Sequence, residues 1–291
     1  MKNNDRLIII TPAKNERDNV ARLVDAVANQ SRIPDAWIFV NDDSTDDTVD
    51  SFLSSASRND ALRACNVEVI NHNSIDNSYA LGTKYSRVVK FGLDYVATVE
   101  TKLGVNFDFI GVLDCDVFPE REYYEKILAR FQQAPNLGIA AGGMQIELFG
   151  DEQQVTYSNS THAAGGLRIW RRSCLDATGY SVTISQDAVS GARAIMMGWS
   201  VRSFKDIAVT MRKRGMVYGY DYYGKSAYAR WVPYWYVLLG AAKLAVKGST
   251  EDALKYLSGY NSAKNNKDTR IDDLLAKRYF RYRLLYRLLG K

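Results

Sequence analysis

The sequence predicts an α/β fold: a mostly parallel, Rossmann-like sheet flanked by helices, followed by a basic, aromatic, helical C-terminal extension. Three observations predict it. Short β-branched runs alternate with longer amphipathic stretches through the first two thirds of the chain, the signature of strand–helix–strand units. From about Arg212 the chain turns tyrosine-rich, basic and helical. Residues 205–291 hold 18 Lys and Arg against 7 Asp and Glu, a balance of +11, so the +5 of the whole chain leaves −6 for residues 1–204.

The strands are expected at "LIIIT" 7–11, "AWIFVND" 36–42, "VEVIN" 67–71, "FDFIGVLD" 107–114, "LGIAAGG" 137–143 and "SVRSFKDIAV" 200–209. Helical patterns fill 17–29, 45–57, 82–99, 121–133 and 187–197. In an open parallel sheet a ligand lies outside the carboxyl ends of the strands. That rule selects the polar residues after each run: "PAKNE", "NDDSTDD" and "DCD". Asp114 and Asp116, at i and i+2 of a strand's end, point to one face and can share one hard cation with a diphosphate. Cys115 then faces the packing, and Pro119 stops the strand.

The totals exclude several classes. With 46% hydrophobic and 24% charged residues, disorder is not an option. Cys65, Cys115 and Cys174 form no CxxC pair and the chain has two histidines, so neither a disulfide framework nor a zinc site is indicated. A reducing, cytoplasmic setting is expected, since the apolar run Leu7–Ile10 is too short for a signal-peptide core.

The extension has two features of its own. No charge lies between Arg230 and Lys243, a gap too short for a spanning helix. Trp231, Tyr234, Trp235 and Tyr236 beside those cations suit the headgroup level of an anionic membrane surface, or a helix packed on the main domain. The last stretch carries Lys277, Arg278, Arg281, Arg283, Arg287 and Lys291 without an acid. Its apolar stripe, Leu274, Leu285 and Leu288, is interrupted by Arg281. Each cation near an anionic leaflet is worth about 1 kcal/mol, so peripheral attachment on the cytoplasmic face of the cell membrane is expected.

Four motifs in order resemble the inverting glycosyltransferases of family 2, whose nucleotide-sugar-binding fold is called GT-A; membrane-associated dolichyl-phosphate-sugar synthases and cell-wall or glycolipid transferases are among the similar enzymes. "TPAKNER" 11–17 is similar to the family's P-A-x-N-E, "VNDDSTDDT" 40–48 to V-D-D-G-S-T-D-G-T, and "LDCD" 113–116 to L-D-A-D. "SQDAVSGARAIMMGW" 185–199 resembles E-D-x-x-L-x-x-R-x-x-x-x-G. The resemblance covers roughly residues 5–215 and implies a transferase domain over 1–215 with a helical extension over 216–291.

Carried over by position, the resemblance implies that Pro12, Ala13 and Glu16 wall the nucleoside pocket and that Asp42 accepts a hydrogen bond from the base. Asp114 and Asp116 would take the ribose, diphosphate and metal, with Asp116 as the ligand of Mg²⁺ or Mn²⁺. The segment "LGTKYSRVVKFGLDYV" 81–96 resembles a family helix that brings Lys84 and Arg87 near the nucleotide. "GGLRIWRRSCLDATGY" 165–180 resembles the acceptor segment, so Gly166, Trp170, Gln186 and Arg193 would meet the acceptor. Asp187 matches the catalytic base; an inverting transfer needs one carboxylate in reach of the acceptor hydroxyl. It also suits a helix N-cap.

Several positions depart from the family pattern. Asn41 and Asp43 replace the usual Asp and Gly, and Gln186 replaces a Glu. No histidine occurs around 208–215, where Arg212, Lys213 and Arg214 could substitute electrostatically, or Asp116, diphosphate and water alone could hold the metal. "YYGKSAYARW" 222–231 shares only Arg230 and Trp231 with the Q-x-x-R-W of processive synthases, Ala227 standing in place of the Gln.

The expected reaction moves a sugar from a UDP- or GDP-sugar to a hydroxyl of a lipid-linked or glycolipid acceptor. A polyprenyl phosphate, which is already ionised and needs no base, is the alternative acceptor. A nucleotidyltransferase would open with a glycine-rich loop, and "TPAKNERDN" has no glycine. A nucleic-acid-binding protein would use the +11 segment as its footprint. No recognition motif accompanies that charge and the acidic sheet edge repels phosphates, so no nucleic-acid partner is expected.

Overall fold

The computed structural model describes residues 5–73, 82–149, 152–158, 161–212, 219–246 and 248–288. Strands β1 (Leu7–Ala13), β2 (Ala36–Asn41), β3 (Asn66–Asn71) and β4 (Phe109–Val112) form a parallel half-sheet in the order β3-β2-β1-β4. Leu7–Ile10 and Ala36–Val40 are wholly buried, as continuous apolar runs must be in strands covered on both faces. Alternation along β2 shows the two layers. Trp37 and Phe39 meet Phe52 of helix α2 (Thr48–Arg58), edge-on at 4.9 Å and stacked at 4.0 Å. On the opposite face Val40 meets helix α3 (Thr83–Leu103), where a Cβ on Gly92 would lie 2.6 Å from Ile10 Cγ2 and 2.9 Å from Val40 Cγ2. Glycine is what lets α3 sit that close.

The other half of the sheet is mixed. Strand β8 (Arg168–Arg171) lies antiparallel between β4 and β6 (Leu137–Phe149). Strand β9 (Ser200–Arg212) runs parallel to β6, β5 (Val117–Pro119) closes the β9 edge antiparallel, and β7 (Glu152–Tyr157) pairs with β6. The sheet is therefore parallel where the longest apolar runs lie and mixed beyond them. The three short strands β5, β7 and β8 do not stand out in the sequence, because three to six residues carry too little periodicity. The expected strand 107–114 ends early, at Val112. Pro119 does not stop it; it belongs to β5 and pairs with Val209.

Helices α1 (Arg17–Ala28), α4 (Tyr123–Gln133), α5 (Arg172–Thr178) and α6 (Gln186–Met196) complete this layer. The extension adds α7 (Gly219–Ala229), α8 (Tyr234–Val246), α9 (Thr250–Asn265), α10 (Leu274–Arg281) and α11 (Arg283–Leu288). Its apolar cluster includes Val189 and Ala192 of α6, so the extension is packed onto the helix that carries Asp187. α7 and α9 touch backbone to backbone: a Cβ on Gly259 would lie 1.9 Å from Asp221 O, and one on Gly224 2.1 Å from Tyr256 O. The expected 215/216 boundary, Lys213 and Arg214 lie outside the described residues.

Two features of the extension refine its reading. Trp231 is partly buried: its indole donates to Ile271 O at 2.9 Å and packs against the side chains of Arg270 and Lys277. The last stretch does not form the single helix on which the leucine stripe is drawn. Leu274 and Leu285 are exposed, while Ala276, Tyr279 and Phe280 enter the core, because the chain breaks into two helices at Tyr282 and the single-helix phase does not hold. Instead α8 presents Trp235, Leu238, Leu239 and Val246 to solvent. No helix among the described residues is long and apolar enough to cross a membrane.

Candidate functional site

The loops after β1 and β2 are tied to each other. Asn15 N–H donates to Ser44 Oγ, Thr45 N–H to Asn15 Oδ1, and Glu16 N–H to Thr48 Oγ1. Both loops turn through the left-handed region, at Asn15 (φ 53°) and Asp43 (φ 51°), a conformation that Asn and Asp tolerate better than most residues. Asp43 thus makes the turn expected of glycine, and the departure at this position leaves the loop's geometry intact. Pro12 lies in β1 beyond its pairing with β4, which ends at Ile10, and Ala13 is buried beside it.

Asp42 is buried at the end of β2. His72 Nδ1 lies 2.8 Å from its Oδ1, and Lys84 Nζ and Lys14 Nζ lie 3.5 and 4.0 Å from its Oδ2. Lys84 thereby reaches Asp42 at the carboxyl end of β2, whereas Arg87, nearly one turn on, is exposed on α3. His72 follows β3 directly, and the strand-end rule that selects Asp42 also reaches it.

Asp114 and Asp116 stand in a turn after β4 rather than on the strand itself. Asp114 N–H donates to Gly166 O at 2.8 Å, and Tyr85 Oη donates to Asp114 Oδ1 at 2.6 Å. Burial, with the Asp114 charge beside it, raises the Tyr85 hydroxyl well above its ordinary range, so it stays protonated and a donor. A Cβ on Gly166 would fall 1.8 Å from Asp114 Oδ2. Gly166 therefore abuts a site carboxylate. Cys115 is buried as the spacing predicts, and burial pushes its thiol well above the usual range.

Asp187 lies in the first turn of α6, and the chain enters that helix through Ser185 in the left-handed region (φ 55°). Its Oδ1 accepts from Ala188 N–H at 2.8 Å, and His162 Nε2 lies 3.4 Å from Oδ2. Burial works against the charge, but His162, Arg168 and the Ala188 amide outweigh it and hold the carboxyl far below the ordinary range. The N-cap is Ser185, so the capping alternative for Asp187 is not realised. Arg168 is buried, with its guanidinium donating to Ala163 O at 2.7 Å and Asp187 O at 3.3 Å.

The two centres meet across one dipeptide. Gly166 abuts Asp114, and a Cβ on Gly165 would lie 3.6 Å from Asp187 Cβ. The chain's two histidines, His72 and His162, each stand against a site carboxylate. A lone histidine carries no spacing signal in the sequence, so His162 was not legible there.

Three of the four expected acceptor contacts are placed otherwise. Trp170 is buried in β8, opposite Ile110 and Ile139, because strand alternation turns it into the core. Gln186 is buried and its amide donates to Ser190 Oγ one turn along α6. Arg193 is ion-paired with Asp273, the N-cap of α10, and fastens the extension to α6. Only Gly166 remains beside the site. Glu16 begins α1 and accepts from Asn19 Nδ2 at 2.6 Å.

Among the described residues no group of three His, Cys, Asp or Glu could hold a metal unaided. Mg²⁺ and Mn²⁺ use one or two carboxylates and complete their shell with water and substrate phosphate. Half-buried Asp116, two residues from Asp114 at the sheet's edge, fits that arrangement and does not fit an all-protein cage.

Residues 8–87 match Glycosyl transferase family 2. No curated protein matches the chain. Among solved structures, the mannosyltransferase PcManGT from Pyrobaculum calidifontis, in complex with GDP-Man and Mn²⁺, is 13% identical with a TM-score of 0.56, over 99% of this chain and 81% of its own. TarS of S. aureus (residues 1–349, with UDP-GlcNAc) is 15% identical with a TM-score of 0.53, over 90% and 74%. GalNAc-T7, with UDP, GalNAc and Mn²⁺, is 12% identical with a TM-score of 0.59, over all of this chain and 58% of its own. The chain has the GT-A fold of these glycosyltransferases, and its residues 8–87 carry the family 2 match.

Proposed function

We propose that the protein transfers a sugar from a UDP- or GDP-sugar to a hydroxyl of a lipid-linked or glycolipid acceptor, with inversion at the anomeric carbon. The observation that carries this reading is the Gly165–Gly166 dipeptide, which brings the strand-end carboxylate Asp114 and the ionised Asp187 to its two sides. Nucleotide sugars bound by PcManGT and TarS support the donor class.

In this reading Pro12, Ala13 and Asp42 hold the nucleoside, and Lys84 sits at its edge. Asp187 accepts the proton of the acceptor hydroxyl as the oxygen bonds to the anomeric carbon, and the carbon–phosphate oxygen bond breaks with its electron pair leaving on the diphosphate. Being far below its ordinary range, Asp187 is always ionised at neutral pH and ready to accept, though intrinsically a weak base. His162 holds its Oδ2 in place. Asp116 would hold a divalent ion, and the chemistry that ion would supply is charge neutralisation of the leaving diphosphate.

The membrane side of the proposal rests on α8, whose Trp235, Leu238, Leu239 and Val246 face solvent within the +11 segment. Such an apolar face among cations suits an anionic headgroup layer. Flotation with phosphatidylglycerol vesicles tests it: Leu238→Asp/Leu239→Asp should abolish co-flotation, and wild type that binds RNA but no vesicle would refute it. For the reaction, a panel of nucleotide sugars with and without Mn²⁺ should contain a UDP- or GDP-sugar that raises the melting temperature only with metal. A panel without any stabilising nucleotide would refute the donor reading.

A further inference from the structure

Beside Asp187 lies a cavity of about 280 Å³ whose lining does not include Asp42, Asp114 or Asp116. Arg168 of β8, Arg230 just after α7 and Arg283 of α11 reach it from three separate parts of the chain, with His162 and Asp187. Three guanidiniums against one carboxylate give 3 − 1 = +2 from these four side chains alone. Ile139, Val201 and Phe280 line the rest, so the charge faces an apolar wall.

An arginine cannot shed its proton to escape such a place. Burial and the neighbouring Arg283 press the Arg230 guanidinium below its ordinary range, and Asp187 offsets only part of that. Arg230 makes one hydrogen bond of its own, Nε to Ser226 O at 3.2 Å, and lies over the Phe280 ring. Arg283 Nε is buried and has no hydrogen-bond partner among the described residues. A buried donor left unpaired on a charged group costs about 1–3 kcal/mol or more. A single anion would recover that cost and neutralise the excess. The planar forks of Arg230 and Arg283 suit a phosphoryl group, and a cavity of about 280 Å³ has room for one.

We infer that the acceptor is anionic: the cavity binds a phosphoryl group of the acceptor between Arg230 and Arg283 while the same molecule offers its hydroxyl to Asp187. The inference rests on the proposed transferase reading for its second half only; anion binding by the cavity stands apart from it. The phosphoryl group is a recognition element and not the nucleophile, because an attacking phosphate would face the Asp187 carboxylate. Its source is a lipid headgroup or a soluble phosphate ester, and the chemistry at the two arginines is the same.

The test uses the full chain, with sn-glycerol 3-phosphate, dihexanoylphosphatidylglycerol and glycerol as probes in calorimetry at low salt, and UDP and GDP with Mn²⁺ in parallel. Both phosphate probes should bind saturably, glycerol should not, and Arg283→Gln should weaken phosphate binding at least ten-fold with nucleotide affinity within two-fold. A tighter lipid probe assigns the phosphoryl group to a lipid; equal affinities assign it to a soluble ester. Should Arg230→Gln fail to fold, Arg283→Gln carries the result alone, since its side chain is only partly buried. Phosphate binding unchanged in Arg283→Gln, or displaced by UDP or GDP, would overturn the assignment. Loss of nucleotide binding in wild type with phosphate binding intact would refute the donor reading and leave the cavity's anion site standing.

Discussion

The edge proposed to hold the donor and the end proposed to meet the acceptor are built in different ways. Asp42 and Asp114 follow the parallel strands β2 and β4, which flank β1, by one or two residues, and Lys84 comes from α3, which packs on β1 and β2. Around Asp187 the groups come from His162 and Arg168 at the entry to β8, from the end of α7 and from α11, three separate parts of the chain. A strand end delivers its side chain by local geometry. A convergence of helices delivers it only after the whole chain has packed. The donor edge should therefore respond to single steric changes at the strand ends, and the acceptor end to changes far from Asp187.

Among changes outside the proposed base, the largest expected effect lies where the two regions touch. Gly166→Ala places a Cβ 1.8 Å from Asp114 Oδ2, so the carboxylate or the segment must move. Overpacking of this kind costs about 1–3 kcal/mol, and nucleotide affinity with Mn²⁺ should fall about ten- to hundred-fold by the same energy. A donor affinity within two-fold of wild type would separate Asp114 from the nucleotide.

Next comes the fastening of the extension. Arg193→Met removes one partner of the pair with Asp273, whose side chain is 9% exposed. Breaking such a pair costs about 2–3 kcal/mol once the partial exposure of Arg193 is discounted. A lower melting temperature and a raised acceptor KM are expected with donor affinity unchanged. An unchanged melting temperature would show that α10 does not depend on α6.

His162→Gln should act more weakly, because both side chains of the Asp187 pair are more than a third exposed. About 0.5–1 kcal/mol, or a two- to five-fold fall in kcat, is expected with donor affinity intact. The pH profile sharpens this. A carboxyl held below its unfolded value contributes stability above about pH 4, and that is lost only as pH falls through the folded value. Turnover should therefore show no limb from Asp187 between pH 5 and 8 in wild type or variant. The smallest effect is expected at Asp43→Gly, where the residue already holds φ 51°: a melting shift corresponding to less than about 1 kcal/mol, and no change in turnover.

Much of the donor edge was legible in the sequence. The buried runs Leu7–Ile10 and Ala36–Val40 read as parallel strands, and the polar residues that follow them are where the chemistry gathers. β8 was not legible, since its four residues "RIWR" look like an exposed, basic segment although Arg168 and Trp170 are both buried. Trp170 is placed at the acceptor by the resemblance of residues 165–180 to a family segment, which does not tell which face of a strand a side chain takes. Arg193 failed for another reason: its partner Asp273 is 80 residues away, and a helical arginine near a catalytic motif reads the same whether it meets a substrate or another helix. The cationic cavity was hidden likewise, because Arg230 and Arg283 read as surface charges until the extension folds over α6.

The central claim, that Asp187 takes the acceptor's proton beside an independently built donor pocket, is tested most directly by Asp187→Asn. Donor affinity with Mn²⁺ should stay within about two-fold of wild type while single-turnover transfer to a hydroxyl acceptor falls about 10²- to 10⁴-fold. Turnover unchanged in Asp187→Asn would contradict the account, and so would donor binding lost together with transfer.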